Sequence, residues 1–387
     1  MAIASGLDNL LADCGFLAKR KFALLANHTS VTASFSYSWA EFAKRGLTPV
    51  CLFSPEHGLF GQEQDQAAAE DGTVLNIPVK SLYGAGEHTL SPNPENLDLI
   101  DTAIFDIQDV GARYYTYAAS LILFMKAISG RDIEFIVLDR PNPLGGADIE
   151  GPQLRAGFES FVGITPSPVR HGLTVGEIAL LATERFKLDV DLRIVKATGW
   201  RRHMYFDETG LFWISPSPNL PTLEGALVYP GMCLLEGTNL SEGRGTTRPF
   251  EIFGAPFIEP EHLLKHPAIE NIAGIALAPF YFKPTFGKHG GRVCGGFFIR
   301  VTDRAAFKPF RAGLAIIKAV LDCYPKDFEF LHGTYEFNSA HPAFDLLCGS
   351  DEIRGLLSAG ADTLSIAEGF APEEEAAAES LKQFHIY

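Results

Sequence analysis

Short apolar runs separated by helix-length segments constrain this chain more than any other feature. Lys21 to Ala26, Pro49 to Phe53, Thr102 to Ile107, Ile133 to Leu138 and Val190 to Val195 read as strands. The inner ones are apolar throughout rather than alternating, as expected of strands covered on both faces. Between them, the Ser38 to Arg45 region, Tyr117 to Ile128 and Thr174 to Phe186 read as helices. Gly46 ends the first, and Thr174 with Glu177 forms a capping box that opens the last. This alternation predicts an α/β fold with a mostly parallel sheet.

In a parallel sheet all strands end at one edge, where ligands usually bind. Four polar clusters fall at such ends: Asn27-His28-Thr29-Ser30, Glu56-His57, the run from Asp106 to Tyr115, and Asp139-Arg140-Pro141-Asn142-Pro143. Pro55 and Gly58 forbid simple continuation of the second strand, so Glu56 and His57 sit side by side on a loop. The segment Ser215 to Gly254 is Pro/Gly-rich and reads as a long functional loop or domain junction carrying Glu236, Asn239, Glu242 and Arg244. Beyond it, Ile275 to Phe282 and Gly296 to Val301 read as strands, and Ala305 to Val320 and Ile353 to Leu357 as helices. The tail Pro372 to Lys382 reads as a solvated terminal helix. The expected division is a larger unit over 1–253 and a smaller α+β unit over 254–387.

A net charge of −15 argues against nucleic acid and anionic membrane as partners. A mean hydropathy of +0.08 with 47% hydrophobic residues allows a large core. No run of about 18 apolar residues exists to span a membrane. The beginning of the chain lacks the pattern of a secretion signal, and the expected location is cytoplasmic. The cysteines are dispersed with no CxxC pair. No cofactor is expected, since both the GxGxxG fingerprint and the phosphate-loop pattern are missing. His28, His57, His88, His171 and His289 lack metal-ligand spacing, so no metal is expected. No GxSxG elbow supports a serine nucleophile. Paired carboxylates among Arg, Tyr and Asn suit glycosidic-bond hydrolysis better.

Taken together, the motifs Ala26-Asn27-His28-Thr29, Ser54 to Gly61, Phe105 to Tyr115, Leu138 to Pro143, Glu150-Gly151-Pro152 and Glu236 to Thr246 resemble one family. It is the NamZ-like exo-β-N-acetylmuramidases of bacterial peptidoglycan recycling. The resemblance implies a Rossmann-like N-terminal domain, a smaller C-terminal domain and an active cleft between them. It also implies release of N-acetylmuramic acid from the non-reducing end of peptidoglycan-derived glycans.

The matching motif and the strand-end placement make Glu56 the expected general acid/base, with His57 tuning it. Asp106, Asp139, Glu236 and Glu242 are candidates for the second catalytic role. Arg113, Arg140, Arg244 and His171 are the cations available for the substrate's lactyl carboxylate. Asn27, His28, Gln108, Tyr114, Asn142 and Asn239 complete the expected sugar contacts. Two other readings of the same residues are a non-catalytic two-domain sugar-binding protein and a hydrolase of a different bond.

Overall fold

The structure, a computed structural model, describes residues 3–387. Its larger sheet comprises β1 (Phe22–Ala26), β2 (Leu52–Ser54), β3 (Gly72–Val74), β4 (Ile77–Ser81), β5 (Thr102–Asp106), β6 (Glu134–Leu138) and β7 (Asp191–Val195). The order is β3-β4-β2-β1-β5-β6-β7, and every neighbouring pair is parallel except β3–β4. Successive residues of the inner strands enter opposite cores. Phe105 and Val137 pack on the side of helices Thr116–Ile128 and Val175–Arg185, whereas Ile104 and Ile136 pack with Leu7, Trp39 and Phe42 on the other. Both faces are therefore covered, which explains the uninterrupted apolar runs. The capping box of Thr174 and Glu177 is present as the sequence predicts.

The smaller sheet is antiparallel, ordered β8-β10-β9, from β8 (Ile252–Ala255), β9 (Ile275–Phe282) and β10 (Cys294–Val301). The stretch read as a long loop contains helix Leu223–Met232 as well as β8. Pro230 and two glycines conceal the helix in the sequence. One glycine is demanded by close packing: a Cβ on Gly231 would lie 1.9 Å from the Pro309 carbonyl oxygen of helix Pro309–Cys323. Helix Leu223–Met232 packs on that later helix, and β8 pairs with β10. Packing thus groups 223–253 with the second unit, although the sequence reading put it with the first.

Helix Thr363–Leu381 starts earlier than expected and is half-buried rather than solvated, with Ile366, Phe370, Ala377 and Leu381 inside. The chain beyond it returns to the first unit. The Ile386 amide donates to Glu177 at 2.9 Å and the Tyr387 hydroxyl to Asp139 at 2.7 Å.

Arg113 fastens the two units together. Its buried guanidinium donates to the carbonyls of Pro152 (2.7 Å), Ser167 (2.8 Å) and Leu347 (2.9 Å). Arg113→Met is expected to leave these acceptors unpaired and to cost roughly 3–5 kcal/mol, as for loss of one partner from a buried charged network. Urea denaturation monitored by circular dichroism checks this; an unchanged midpoint refutes it.

Candidate active site

Glu56 stands where β2 leaves the sheet. His57 and Gly58 both adopt positive φ, 70° and 76°, and the Gly58 amide closes a turn onto the Pro55 carbonyl at 3.1 Å. This reversal buries the Glu56 carboxylate. One oxygen accepts from the Thr116 hydroxyl at 2.6 Å and the other from the Gln66 amide at 3.3 Å. His57 Nδ1 lies 2.9 Å from the Glu63 carbonyl, a partner that requires Nδ1 to carry the proton. His28 donates from Nε2 to the Ser215 carbonyl, and burial, with His57 nearby, keeps its pKa low. The His28 ring packs on Gly61, where a Cβ would fall 2.1 Å from Cε1.

The facing wall belongs to the second unit and one early loop. Arg244 donates to Glu236 at 2.8 Å and to Asp65 at 2.9 Å, with Glu242 3.5 Å from Nε. Burial opposes its charge, but these carboxylates outweigh it and hold the guanidinium firmly protonated. Lys288 reaches Glu242 at 3.0 Å and the carbonyls of Leu235 and Leu240. The Tyr335 hydroxyl donates to Glu236, and Tyr83 donates to Glu336 at 2.7 Å. Burial, then the charge of Glu56, drives the Glu336 pKa well above the usual carboxylate range.

Glu56, His57, Tyr115, Thr116 and Glu336 line an inner recess together with Tyr229 and Phe250. The recess shares Asp65, Glu236, Arg244 and Tyr335 with an outer cavity of about 310 Å³ bordered by Lys288 and His332. Together they form one acid-rich cleft between the two units.

Of the residues singled out in the sequence, Glu56, His57, Glu236, Glu242 and Arg244 converge on this cleft, and Tyr114 lines its floor. The Tyr114 hydroxyl, however, is spent on the Pro230 carbonyl. The others lie outside this cleft and bond to neighbouring parts of the chain. Asp139 accepts from Thr174, Tyr387 and the Gly176 amide, and burial raises its pKa to about 6. Asp106 is buried and paired with Arg140 through Nε at 2.8 Å and Nη2 at 2.6 Å. Asn142 bridges Leu144 and Leu173, and Asn239 bridges Asp327 and Glu329. The Asn27 side chain accepts from Thr29, and Gln108 donates to the Asp109 and Pro141 carbonyls. Arg113 is occupied by carbonyls, and His171 is wholly buried.

Sequence reasoning passed over Asp65, Tyr83, Thr116, Tyr335 and Glu336, and treated Lys288 chiefly as part of a turn. Thr116 was within reach, as the first residue of a helix that follows a strand-end motif. Glu336 and Phe337 adopt positive φ in an irregular loop that no periodicity marks. Among the described residues no three His, Cys, Asp or Glu side chains are grouped to hold a metal ion, and no helix is long and apolar enough to cross a membrane.

Fold and cleft define a two-domain α/β protein whose interdomain carboxylates suit glycoside chemistry. The family models for the N-terminal and C-terminal parts of the exo-β-N-acetylmuramidase NamZ match residues 22–224 and 227–387. The chain belongs to that family. It is 40% identical to peptidoglycan β-N-acetylmuramidase NamZ of Bacillus subtilis (strain 168) over 389 aligned positions, covering 100% of this chain and 91% of the relative. Crystal structures of two DUF1343 family proteins from Bacteroides fragilis NCTC 9343 superpose with TM-scores of 0.87 and 0.78, at 29% and 26% identity. Each comparison covers 100% of this chain and 99% of the other.

Asp109 and His171 are both buried, with Nε2 3.9 Å from Oδ2. Burial raises Asp109 from 3.8 to about 7 and lowers His171 from 6.5 to about 3. Between 3.8 and 6.5 the folded pair keeps its proton on Asp109, whereas the unfolded chain keeps it on His171. Their opposing contributions to the pH dependence of stability therefore cancel in that window. In His171→Asn, Asp109 acts alone: stability is full below 3.8 and is lost as pH rises towards 7, by about 1.4 kcal/mol per pH unit. In Asp109→Asn, His171 acts alone: stability is full above 6.5 and is lost as pH falls towards 3. Urea midpoints across that range should tilt in opposite directions for the two variants; parallel profiles would rule the pair out.

Proposed function

We propose that this chain is an exo-acting glycoside hydrolase that releases N-acetylmuramic acid from the non-reducing end of peptidoglycan-derived β-1,4 glycans. Its membership of the NamZ family and the name of its Bacillus relative point to this activity. The observation that carries the reading is the recess itself. Glu56 is buried at the carboxyl edge of the sheet and shares this recess with Asp65, Glu236 and Arg244. Tyr229 and Phe250 line the same recess and offer aromatic surface to a sugar ring.

In this reading Glu56 is the general acid/base, aligned by Thr116 and the Gln66 amide. Glu336 lines the same recess, and burial with the nearby Glu56 raises its pKa, which eases the repulsion between the two carboxyls. Glu236, fixed by Arg244 and Tyr335, is the carboxylate best placed to orient a nucleophile, whether water or the substrate's own acetamido group. Arg244 and Lys288 are the cations in the cleft for the lactyl carboxylate. In the cytoplasm, the location expected from the sequence, the substrate would be small imported muramyl fragments.

Glu56→Gln should fold normally but turn over N-acetylmuramyl-β-1,4-N-acetylglucosamine roughly 10²–10⁴-fold more slowly, the usual worth of general acid catalysis. A 4-nitrophenyl aglycone, which leaves without help from an acid, should recover most of that loss. Wild-type turnover in the variant would remove Glu56 from the mechanism. If folded wild-type protein released no N-acetylmuramic acid from the disaccharide, the activity itself would be excluded.

A further inference from the structure

A second cavity, of about 290 Å³, opens on the same edge of the large sheet but shares no lining residue with the catalytic cleft. It lies at the switch point between β1 and β5, the strands from which the order runs outward in both directions. Thr29 follows β1, Gln108 follows β5 and Arg140 follows β6, and all three line it. The segment that separates the cavities is itself pinned. Ile214 faces this cavity, Ser217 faces the catalytic recess, and the Ser215 carbonyl between them accepts from His28.

Two independent features point to a ligand. First, Arg140 is 7% exposed and gives Nε and Nη2 to Asp106, yet Nη1 makes no hydrogen bond among the described residues. A nearly buried guanidinium with an uncommitted nitrogen lines the cavity. Second, two phenylalanines stand at the mouth. Phe35 and Phe212 are 58% and 67% exposed and meet edge to face at 5.3 Å. Phe35 holds φ at 64°, a conformation unfavourable for a bulky side chain, at the tip of a turn closed by Thr32 and Ser36. Burial does not explain that placement, because it leaves the ring in solvent.

The local charge selects the kind of ligand. Asp8 is the one carboxylate among the lining residues, and the one lining cation, Arg140, is already paired with the buried Asp106 behind it. A phosphate or carboxylate would meet a cation already paired and a carboxylate beside it. A neutral polyhydroxylated ring would instead find a guanidinium donor, carboxylate and amide acceptors, and aromatic rings for its C–H face. The volume lies near the lower end of small-ligand sites, about 300 Å³. We propose that this cavity is a binding site for a neutral saccharide, separate from the catalytic cleft and independent of turnover.

Methyl-labelled protein tests this directly. Leu211 and Ile214 line the proposed site, whereas Val162 and Leu331 report on the catalytic cleft. Titration with N-acetylglucosamine or chitobiose should shift the Leu211 and Ile214 methyl signals saturably. Phe212→Ala, an exposed change, should weaken that binding by roughly tenfold. Hydrolysis of the muramyl disaccharide should stay at the wild-type rate in this variant. Signals of Leu211 and Ile214 that stay still at about 50 mM saccharide, tighter binding of glucose 6-phosphate there, or shifts indifferent to Phe212→Ala would each overturn the proposal.

Discussion

Covering both faces of the large sheet is the constraint on which the rest of the molecule depends. Once Ile104 and Phe105 must enter opposite cores, the inner strands have no face left for polar chemistry. Polar side chains are then confined to the carboxyl edge, and strands distant in sequence deliver them to one place. The Gln108 amide donates to the Thr29 hydroxyl, Arg140 donates to the Val31 carbonyl, and Gln108 donates to Pro141. Three of the four strand-end clusters are thus bonded to one another, and Glu56 bonds Thr116, the residue directly after the run from Asp106 to Tyr115. The edge becomes a site because nothing else in the sheet is available to be one.

That edge is completed by the second unit, and the terms are electrostatic. Glu56, Asp65, Glu236, Glu242 and Glu336 face only Arg244 and Lys288 in the cleft. The chain accommodates the excess in two ways. Arg244 is spread over three carboxylates, and burial together with Glu56 raises the Glu336 pKa. Lys288 is the more accessible cation, its side chain 22% exposed against 14% for Arg244. An anionic substrate approaching a protein of net charge −15 would therefore meet Lys288 first.

The parts of this arrangement that local rules dictate were legible in the sequence. The inner strands, the capping box of Thr174 and Glu177, and the turn carrying Glu56 depend on neighbours a few residues away. Helix Leu223–Met232 was not legible, since Gly231 answers to the Pro309 carbonyl in a distant helix. Arginines misled for a related reason. Arg113, Arg140 and Arg244 are chemically identical in a sequence, and only the folded chain assigns one to carbonyls, one to a lone aspartate and one to the cleft. Glu336 escaped notice because its neighbours are brought to it by the meeting of the two units.

The same reasoning bears on the wall between the two cavities. His28 bonds the Ser215 carbonyl on one side and packs on Gly61 on the other, and Gly61 belongs to the turn that follows Glu56. Burial lowers the His28 pKa, with His57 adding to the effect, so the ring is uncharged near neutrality. A neutral imidazole leaves the carboxylates on either side with no extra cation, and each cavity keeps its own charge balance. The catalytic cleft retains two cations suited to an acid sugar. The switch-point cavity has its single guanidinium largely claimed by Asp106, which suits an uncharged ring. A difference in arginine pairing thus gives the two cavities different charge balances, Arg140 following β6 and Arg244 standing in the loop before β8.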